Sequence, residues 1–372
     1  MKCVHILVMG GGPAGATAAL TLRKFRHKVT VLDKGHFPGY KVGEPLLSDT
    51  MPFFKRRGVW ERVEKANFIR KPSEISISDK EQRQFSFTLA RKKSNEWIFD
   101  HAPPVGQNRY DQLLIEEAVE AGVDFIPEAQ ILDADVTSRD SVIVKYKKYG
   151  IETIINGDYL IDASGTNSPL VKKLAIRRYD EYRKAISLWA HFKLEDPFRR
   201  DFSGTAYSVT FEDGRLWMIP IEKGGYNVGM VVDYDKVDDI KEQGVDEFFK
   251  MSLKKCDRAM SFLGDAKMVE KVRMTRGCAY DALYFSKDRF FLSGDSACFI
   301  DPLFSKGVHL AMQSAVSAAS AIDVLAKNPE KEDRCHAWYN RSYRDTYAFY
   351  HEFVKSYYAY ASVMEKGSSF QV

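Results

Sequence analysis

CVHILVMGGGPAGATAALTLRKFRHKVTVLD, residues 3–33, decides the fold. Residues 3–9 form an apolar run too short for a helix and long enough for a buried strand. Small residues over 13–25 read as a helix, and KVTVL at 28–32 reads as a second strand, so the chain opens with a βαβ unit. Gly10, Gly12 and Gly15 sit between strand and helix in the spacing G-x-G-x-x-G, and Asp33 follows 18 residues later at the end of the second strand. That context makes the motif a dinucleotide fingerprint. Gly10 permits the tight turn, Gly12 lets the backbone approach a pyrophosphate, and Gly15 lets the helix press on the strand. The phosphates belong at the helix N-terminus, and Asp33 is expected to accept hydrogen bonds from ribose hydroxyls. Pro13 and Ala14 in the turn and Lys34 beside the acid complete the expected cofactor contacts.

Outward from this unit the pattern changes twice. A helix near 50–64 and period-two stretches at 73–79 and 83–89 precede a helix at 109–121. Strands near 123–126, 130–136, 141–148 and 151–155 follow, and YLIDASG at 159–165 reads as a buried strand ending in a loop. From about 183 to 280 the stretches SLWAHFKL, AYSVTF, RLWMIPI, YNVGMVV and KVRMTRG predict antiparallel sheet, with one helix near 244–256. RFFLSGD at 289–295 is a last parallel-type strand before a long helix rich in Ala and Ser. The expected fold is mixed α/β: a Rossmann-type nucleotide-binding domain (1–70, 100–182 and 281–330) with an inserted β-sheet substrate domain (71–99 and 183–280) and a C-terminal helical segment (331–372).

Composition narrows the classes. A chain of 372 residues predicts about two domains. A hydrophobic fraction of 45 % and a charged fraction of 28 % exclude a disordered chain. Fifty-five basic against 51 acidic residues leave +4, without a dense basic tract, so nucleic acid is not an expected partner. Five scattered cysteines (3, 256, 278, 298 and 335) suggest neither a disulfide framework nor a metal site and fit a reducing, cytoplasmic setting. Gly10 interrupts the first apolar run too early for a signal peptide, and no membrane span is expected. The 13 % aromatic content, with 24 Phe, 19 Tyr and 5 Trp, points to an aromatic core, an aromatic-lined pocket or a docking face.

A second motif specifies the dinucleotide. Gly294-Asp295 closes the strand RFFLSGD, and Gly307 opens the Ala-rich helix beyond Asp301-Pro302. A carboxylate there suits a ribityl hydroxyl, and the helix N-terminus suits the electron-rich end of a flavin, which makes the cofactor FAD. GGGPAGATAA, KVGEPLL at 41–47, NRYDQLL at 108–114, LIDASG at 160–165 and above all GDSACFIDPLFSKGVHLA at 294–311 resemble the flavin-dependent halogenases and their FAD-dependent aromatic monooxygenase relatives. The resemblance spans residues 1 to about 350. It implies the fold of aromatic hydroxylases and chemistry by FAD and O2 through a flavin C4a-hydroperoxide. It also implies FAD contacts at Arg109, Ser305, Lys306, Gly307 and Val308 besides Gly294 and Asp295, and a substrate pocket including Trp217, Pro220 and Pro302.

The resemblance further implies catalytic roles for Lys71, at the stretch where halogenases relay hypohalous acid, and for Glu44, in the loop beside the flavin ring. The chain departs from the halogenase pattern at three places, one of them the Pro72-Ser73-Glu74 that follows Lys71 in place of a glycine-containing sequence. The W-x-W-x-I-P motif begins with Arg215 instead of Trp, and Lys306 replaces the small residue of the halide-facing loop. With a C-terminus shorter than that of tryptophan halogenases, these departures favour hydroxylation of an aromatic ring. The short halogenase-like flavoproteins that modify a precursor tryptophan in cysteine tryptophylquinone biogenesis are the nearest in character. Halogenation of a phenol, pyrrole or indole is the alternative, and a non-catalytic flavoprotein maturation factor a further one. Only one dinucleotide fingerprint exists, so a separate flavin reductase is the expected electron source. Tyr339, Tyr343, Tyr347, Tyr350, Tyr357 and Tyr360 give one face of the last helix over to tyrosine, as core or as a surface for a partner protein.

Overall fold

The structure, a computed structural model, describes residues 2–35, 44–45, 54–55, 59–66, 73–78, 84–88, 92–93, 96–97, 104–105, 107–180, 185–193, 206–221, 225–276, 279–300 and 306–365. Lys71, Pro302 and Ser305 lie outside the described residues, as do the side chains of Glu44 and Arg109. The chain forms two compact units, Met1–His36 with Ile115–Tyr179 and Ala279–Val372, and Phe37–Leu114 with Asp180–Cys278. The division differs from the expected boundaries: 37–70 and 100–114 group with the sheet unit, and the C-terminal helix is part of the first unit instead of a segment of its own.

The first unit is built on a six-stranded sheet. Its order is Ser286–Lys287, Phe290–Leu292, Tyr159–Asp162, His5–Met9, Lys28–Leu32, Asp124–Ile126. Every pair is parallel except the first, which turns back on itself. Strands covered on both faces need no polar alternation, which is why these segments read as continuous apolar runs. The helices Pro13–Lys24 and Gly307–Lys327 pack along each other. The latter is long and apolar enough to cross a membrane, but 67 % of its apolar window is buried inside the protein. A three-stranded antiparallel sheet, Gln130–Asp135, Val142–Lys148 and Ile151–Gly157, forms the connection back to the central strands.

The last helix, Glu332–Glu365, answers the tyrosine question as far as Tyr347. Tyr339, Tyr343 and Tyr347 are buried. The hydroxyl of Tyr339 donates to the Leu292 carbonyl at 2.7 Å, and that of Tyr343 to the Gly294 carbonyl at 3.3 Å. Their rings meet Phe291 edge-on and Phe285 at 4.9 Å. Periodicity identifies such a face but cannot say what covers it; here it is the core of the first unit.

The second unit is an eight-stranded sheet. Its path runs Lys267–Met268, Ala185–Lys193, Gly225–Asp233, Gly214–Ile221, Ala206–Phe211, Ser73–Ser78, Gln84–Thr88, and Arg273–Arg276 also pairs with Ala185–Lys193. Only the Ala206–Phe211 and Ser73–Ser78 neighbours are parallel. Three helices, Val237–Gln243, Val245–Lys254 and Asp257–Leu263, stand where one was expected. Gly244, at φ 85°, ends the first and begins the second. Leu188, Val209, Leu216, Met218, Val228 and Met230 from one face of the sheet pack on Phe249 and Leu253 of these helices. The other face is left to a different set of residues.

Candidate active site

The cofactor side of the site lies in the first unit, where the strand His5–Met9 gives way to the helix Pro13–Lys24. Gly10 holds φ at 100°, and a Cβ there would stand 2.3 Å from the Ala163 carbonyl oxygen, so no other residue fits. A Cβ on Gly15 would come within 1.8 Å of the Gly10 carbonyl oxygen. The loop is therefore pressed between its own helix and the 163–165 turn. Gly12 is the N-cap of the helix and Pro13 its first residue; no side chain caps this end and no acid stands in the first turn. Uncapped N–H groups at the positive end of a helix suit a pyrophosphate. Ala14 is buried behind them.

Asp33, expected to meet a ribose, makes two backbone contacts within the protein. The Gly11 N–H donates to its Oδ2 at 2.5 Å and the Gly35 N–H to its Oδ1 at 2.6 Å. One carboxylate thus ties the glycine loop to the end of the second strand, and the remaining lone pair on each oxygen is free in valence terms for a hydroxyl donor. Lys34 beside it is exposed.

The second motif forms a 3-10 turn, Gly294–Ser296, after the strand Phe290–Leu292. Ser293 and Ser296 make a capping box. The Gly294 N–H donates to Ser314 Oγ at 3.1 Å, and the Tyr280 hydroxyl donates to the Asp295 carbonyl at 2.7 Å. Asp162 of LIDASG, fully buried, is a residue that spacing alone does not single out. Its carboxylate accepts from the N–H and Oγ of Ser164 and from Ser168 Oγ, while its carbonyl accepts from Ser296 Oγ at 2.5 Å. Burial pushes this carboxyl above the usual carboxylate range, against those hydrogen bonds. It joins the turn that abuts Gly10 to the turn that carries Asp295.

Gly307 begins the helix Gly307–Lys327, with Lys306 at the N-cap. This end too has no side-chain cap and no acid in its first turn, the arrangement an anion or an electron-rich ring edge requires. The Lys306 ammonium lies 5.3 Å from the centre of the Tyr350 ring, a cation–π contact with the last helix. Val308 is buried. These features fit FAD: two uncapped helix ends, a loop that only glycine can make, and an acid that holds it.

The substrate side belongs to the second unit. Glu44–Pro45 pairs with Pro104–Val105 in a two-stranded ribbon. The helix expected from 109 begins at Gln107, and the buried Asp111 lies past its first turn. Trp217 and Pro220 are three residues apart on one strand and therefore point to opposite faces. Pro220 shares its face with Leu216 and Met218 of the core, so it cannot line a pocket with Trp217. The face of Trp217 carries Ser208, Arg215, Asn227 and Trp189. Arg215 is buried, and its Nε donates to Ser208 Oγ at 2.5 Å.

Trp217 Nε1 donates to Asn227 Oδ1 at 2.7 Å. Asn227 is 0 % exposed, and its Nδ2 has no hydrogen-bond acceptor among the described residues. A buried amide donor without a partner costs about 1–3 kcal/mol, against about 1 kcal/mol gained by an ordinary hydrogen bond. The signal for this residue was present in YNVGMVV, where a polar residue and a glycine interrupt a buried strand.

A family model described as FAD binding domain matches residues 3–342. The chain belongs to the FAD-binding domain family. This flavoprotein is 44 % identical to CmlS, a flavin-dependent halogenase of known crystal structure, with a TM-score of 0.91 over 97 % of this chain and 66 % of that one. The chondrochloren halogenase CndH, described as a variant of FAD-dependent halogenases, shares 27 % identity with a TM-score of 0.88 over 96 % of this chain and 83 % of its own. The flavin-dependent halogenase ascD of Acremonium egyptiacum is 28 % identical over 93 % of this chain and 66 % of its own length. The chain thus spans about two thirds of the length of CmlS and ascD. It is an FAD-binding protein similar to flavin-dependent halogenases, and the three relatives named above are halogenases, not aromatic hydroxylases or factors of quinone biogenesis.

Proposed function

We propose that this flavoprotein is a flavin-dependent halogenase acting on an electron-rich ring of the phenol, pyrrole or indole class. The observation that carries the reading is the 44 % identity to a flavin-dependent halogenase across 97 % of the chain. It reverses the order of the two enzymatic readings taken from Arg215 and Lys306, and modification of a protein-borne tryptophan has no counterpart among those relatives. FAD, once reduced by a separate reductase, supplies with O2 the oxidising power that converts halide to an electrophile. The chain's own residues do the rest. Gly10, Gly12, Gly15 and Asp33 hold the dinucleotide, and the uncapped start of Gly307–Lys327 favours negative charge nearby. Trp217 offers an aromatic wall for the substrate. Lys71 directs the electrophile, and Glu44 accepts the proton lost when the ring regains aromaticity.

The test is turnover of phenol, pyrrole and indole by the FAD-loaded protein with a flavin reductase, O2 and either chloride or bromide. A product with the isotope pattern of the supplied halogen is expected. A product that forms equally without halide and carries label from ¹⁸O2 would establish hydroxylation, the reading Arg215 favours, in place of halogenation.

A further inference from the structure

Across the second unit, Trp189, Gly229 and Trp217 are register partners on three neighbouring strands. The indole of Trp217 lies on Gly229: a Cβ there would stand 2.1 Å from Cζ2 and 2.4 Å from Cε2 of the ring. Only glycine leaves room for this pose. In the adjoining row Asn227 stands between His191 and Ile219, on the same face as the indole. An indole N–H donates and never accepts, so the Asn227 atom at 2.7 Å must be its oxygen, and the amide orientation follows from chemistry. The amide nitrogen is thereby turned to a place without an acceptor among the described residues. A β-branched apolar residue of similar volume would fill this strand position without a buried amide donor, leaving only the half-buried indole N–H of Trp217 to find another acceptor. What it could not do is fix the indole.

We propose that Asn227 is a positioning residue that holds Trp217 flat on Gly229, so that the indole presents one fixed face to an aromatic substrate. The inference rests on the reading of this chain as an enzyme acting on an aromatic ring. Asn227 and Gly229 work as a pair, one fixing the edge of the ring and the other its floor.

Four proteins decide the matter: the parent, Asn227→Val, Trp217→Phe and the double variant, with Gly229→Ala and its own Trp217→Phe counterpart as an independent disturbance of the same ring. Three quantities are read: melting temperature, the emission of Trp217 taken as the difference between each protein and its Trp217→Phe counterpart, and kcat and KM for halogenation of phenol, pyrrole and indole. Asn227→Val is expected to melt at or above the parent temperature, to shift the Trp217 emission, and to raise KM about tenfold, or about 1.4 kcal/mol. In the Trp217→Phe background the same substitution should change KM less than about twofold, the mark of coupled residues. Gly229→Ala should shift the same emission. A lowered melting temperature or failure of Asn227→Val to fold, an unmoved Trp217 emission, or additive effects on KM would each overturn the proposal and make Asn227 a structural residue. If none of the three rings is halogenated, the proposed activity falls, and the melting and emission results alone decide the role of Asn227.

Discussion

Replacing Gly10 by alanine tests the glycine loop most directly, because the structure separates the two ways such a change can hurt. At φ 100° an L-residue is strained by about 1–2 kcal/mol. The new Cβ also meets the Ala163 carbonyl oxygen at 2.3 Å and its carbon at 2.7 Å, backbone atoms that cannot swing away. Overpacking of that kind costs about 1–3 kcal/mol. Gly10→Ala should therefore lose about 2–5 kcal/mol in total. Gly165→Ala is the control, since it shares the positive φ of 79° but has nothing within 4 Å of its Cβ. There the strain remains, offset by about 0.4–1 kcal/mol from the stiffer unfolded chain, for a net loss near or below about 1 kcal/mol. At roughly 2–4 °C per kcal/mol, Gly10→Ala should melt about 5–15 °C below the parent and Gly165→Ala no more than about 4 °C below. Differential scanning fluorimetry of the FAD-free proteins gives these values, and flavin fluorescence titration should show weaker FAD binding for Gly10→Ala alone. If Gly10→Ala melts within about 2 °C of Gly165→Ala, the clash with Ala163 is not real and the loop geometry is wrong.

Three further outcomes are expected. Asp33→Ala removes the acceptor shared by the Gly11 and Gly35 N–H groups and should weaken FAD binding about ten- to a hundredfold by the same titration, with Asp33→Asn intermediate. Tyr339→Phe removes a fully buried hydroxyl from the Leu292 carbonyl and should cost about 1 kcal/mol in a denaturant titration without altering FAD affinity. Burial holds the imidazoles of His5, His27, His191 and His336 below their usual range, so the folded protein takes up protons less readily than the unfolded chain. The stability they contribute is complete above about pH 6.5 and is lost as pH falls through the depressed folded values, so urea midpoints should fall steadily from about pH 7 to pH 5. His27→Gln should flatten that fall, because His27 accepts from the Val4 N–H on Nδ1 while Nε2 faces Asp323 at 3.2 Å, an arrangement suited to the neutral ring.

Much of the first unit was legible because its signals are local. The strand–glycine–helix order of residues 3–33 needs no distant information, and neither does the strand before Gly294-Asp295. The bonding of Asp33 was not legible, since its position 18 residues beyond Gly15 identifies an acid near the cofactor but not the backbone N–H of Gly11 that it holds. The tyrosines of the last helix show the same limit. A spacing of three and four residues announces a face, yet only the fold shows that Tyr339 and Tyr343 are turned on Phe291 and Phe285.

The substrate side turns on parity. In GRLWMIPI the alternation of a strand assigns Arg215, Trp217 and Ile219 to one face and Leu216, Met218 and Pro220 to the other, so a motif read as a unit is divided by the pleat. The half that faces the core is explained by packing, and the half bearing Trp217 is not. On the partner strand the same parity brings forward Asn227 and Gly229, the two positions where GYNVGMVVD breaks its apolar run. A polar residue that is costly to bury and a glycine that weakens a strand, two residues apart and both touching one indole, are hard to account for by stability. Such local losses persist where a side chain must be held in one pose, and the pose they hold is that of Trp217.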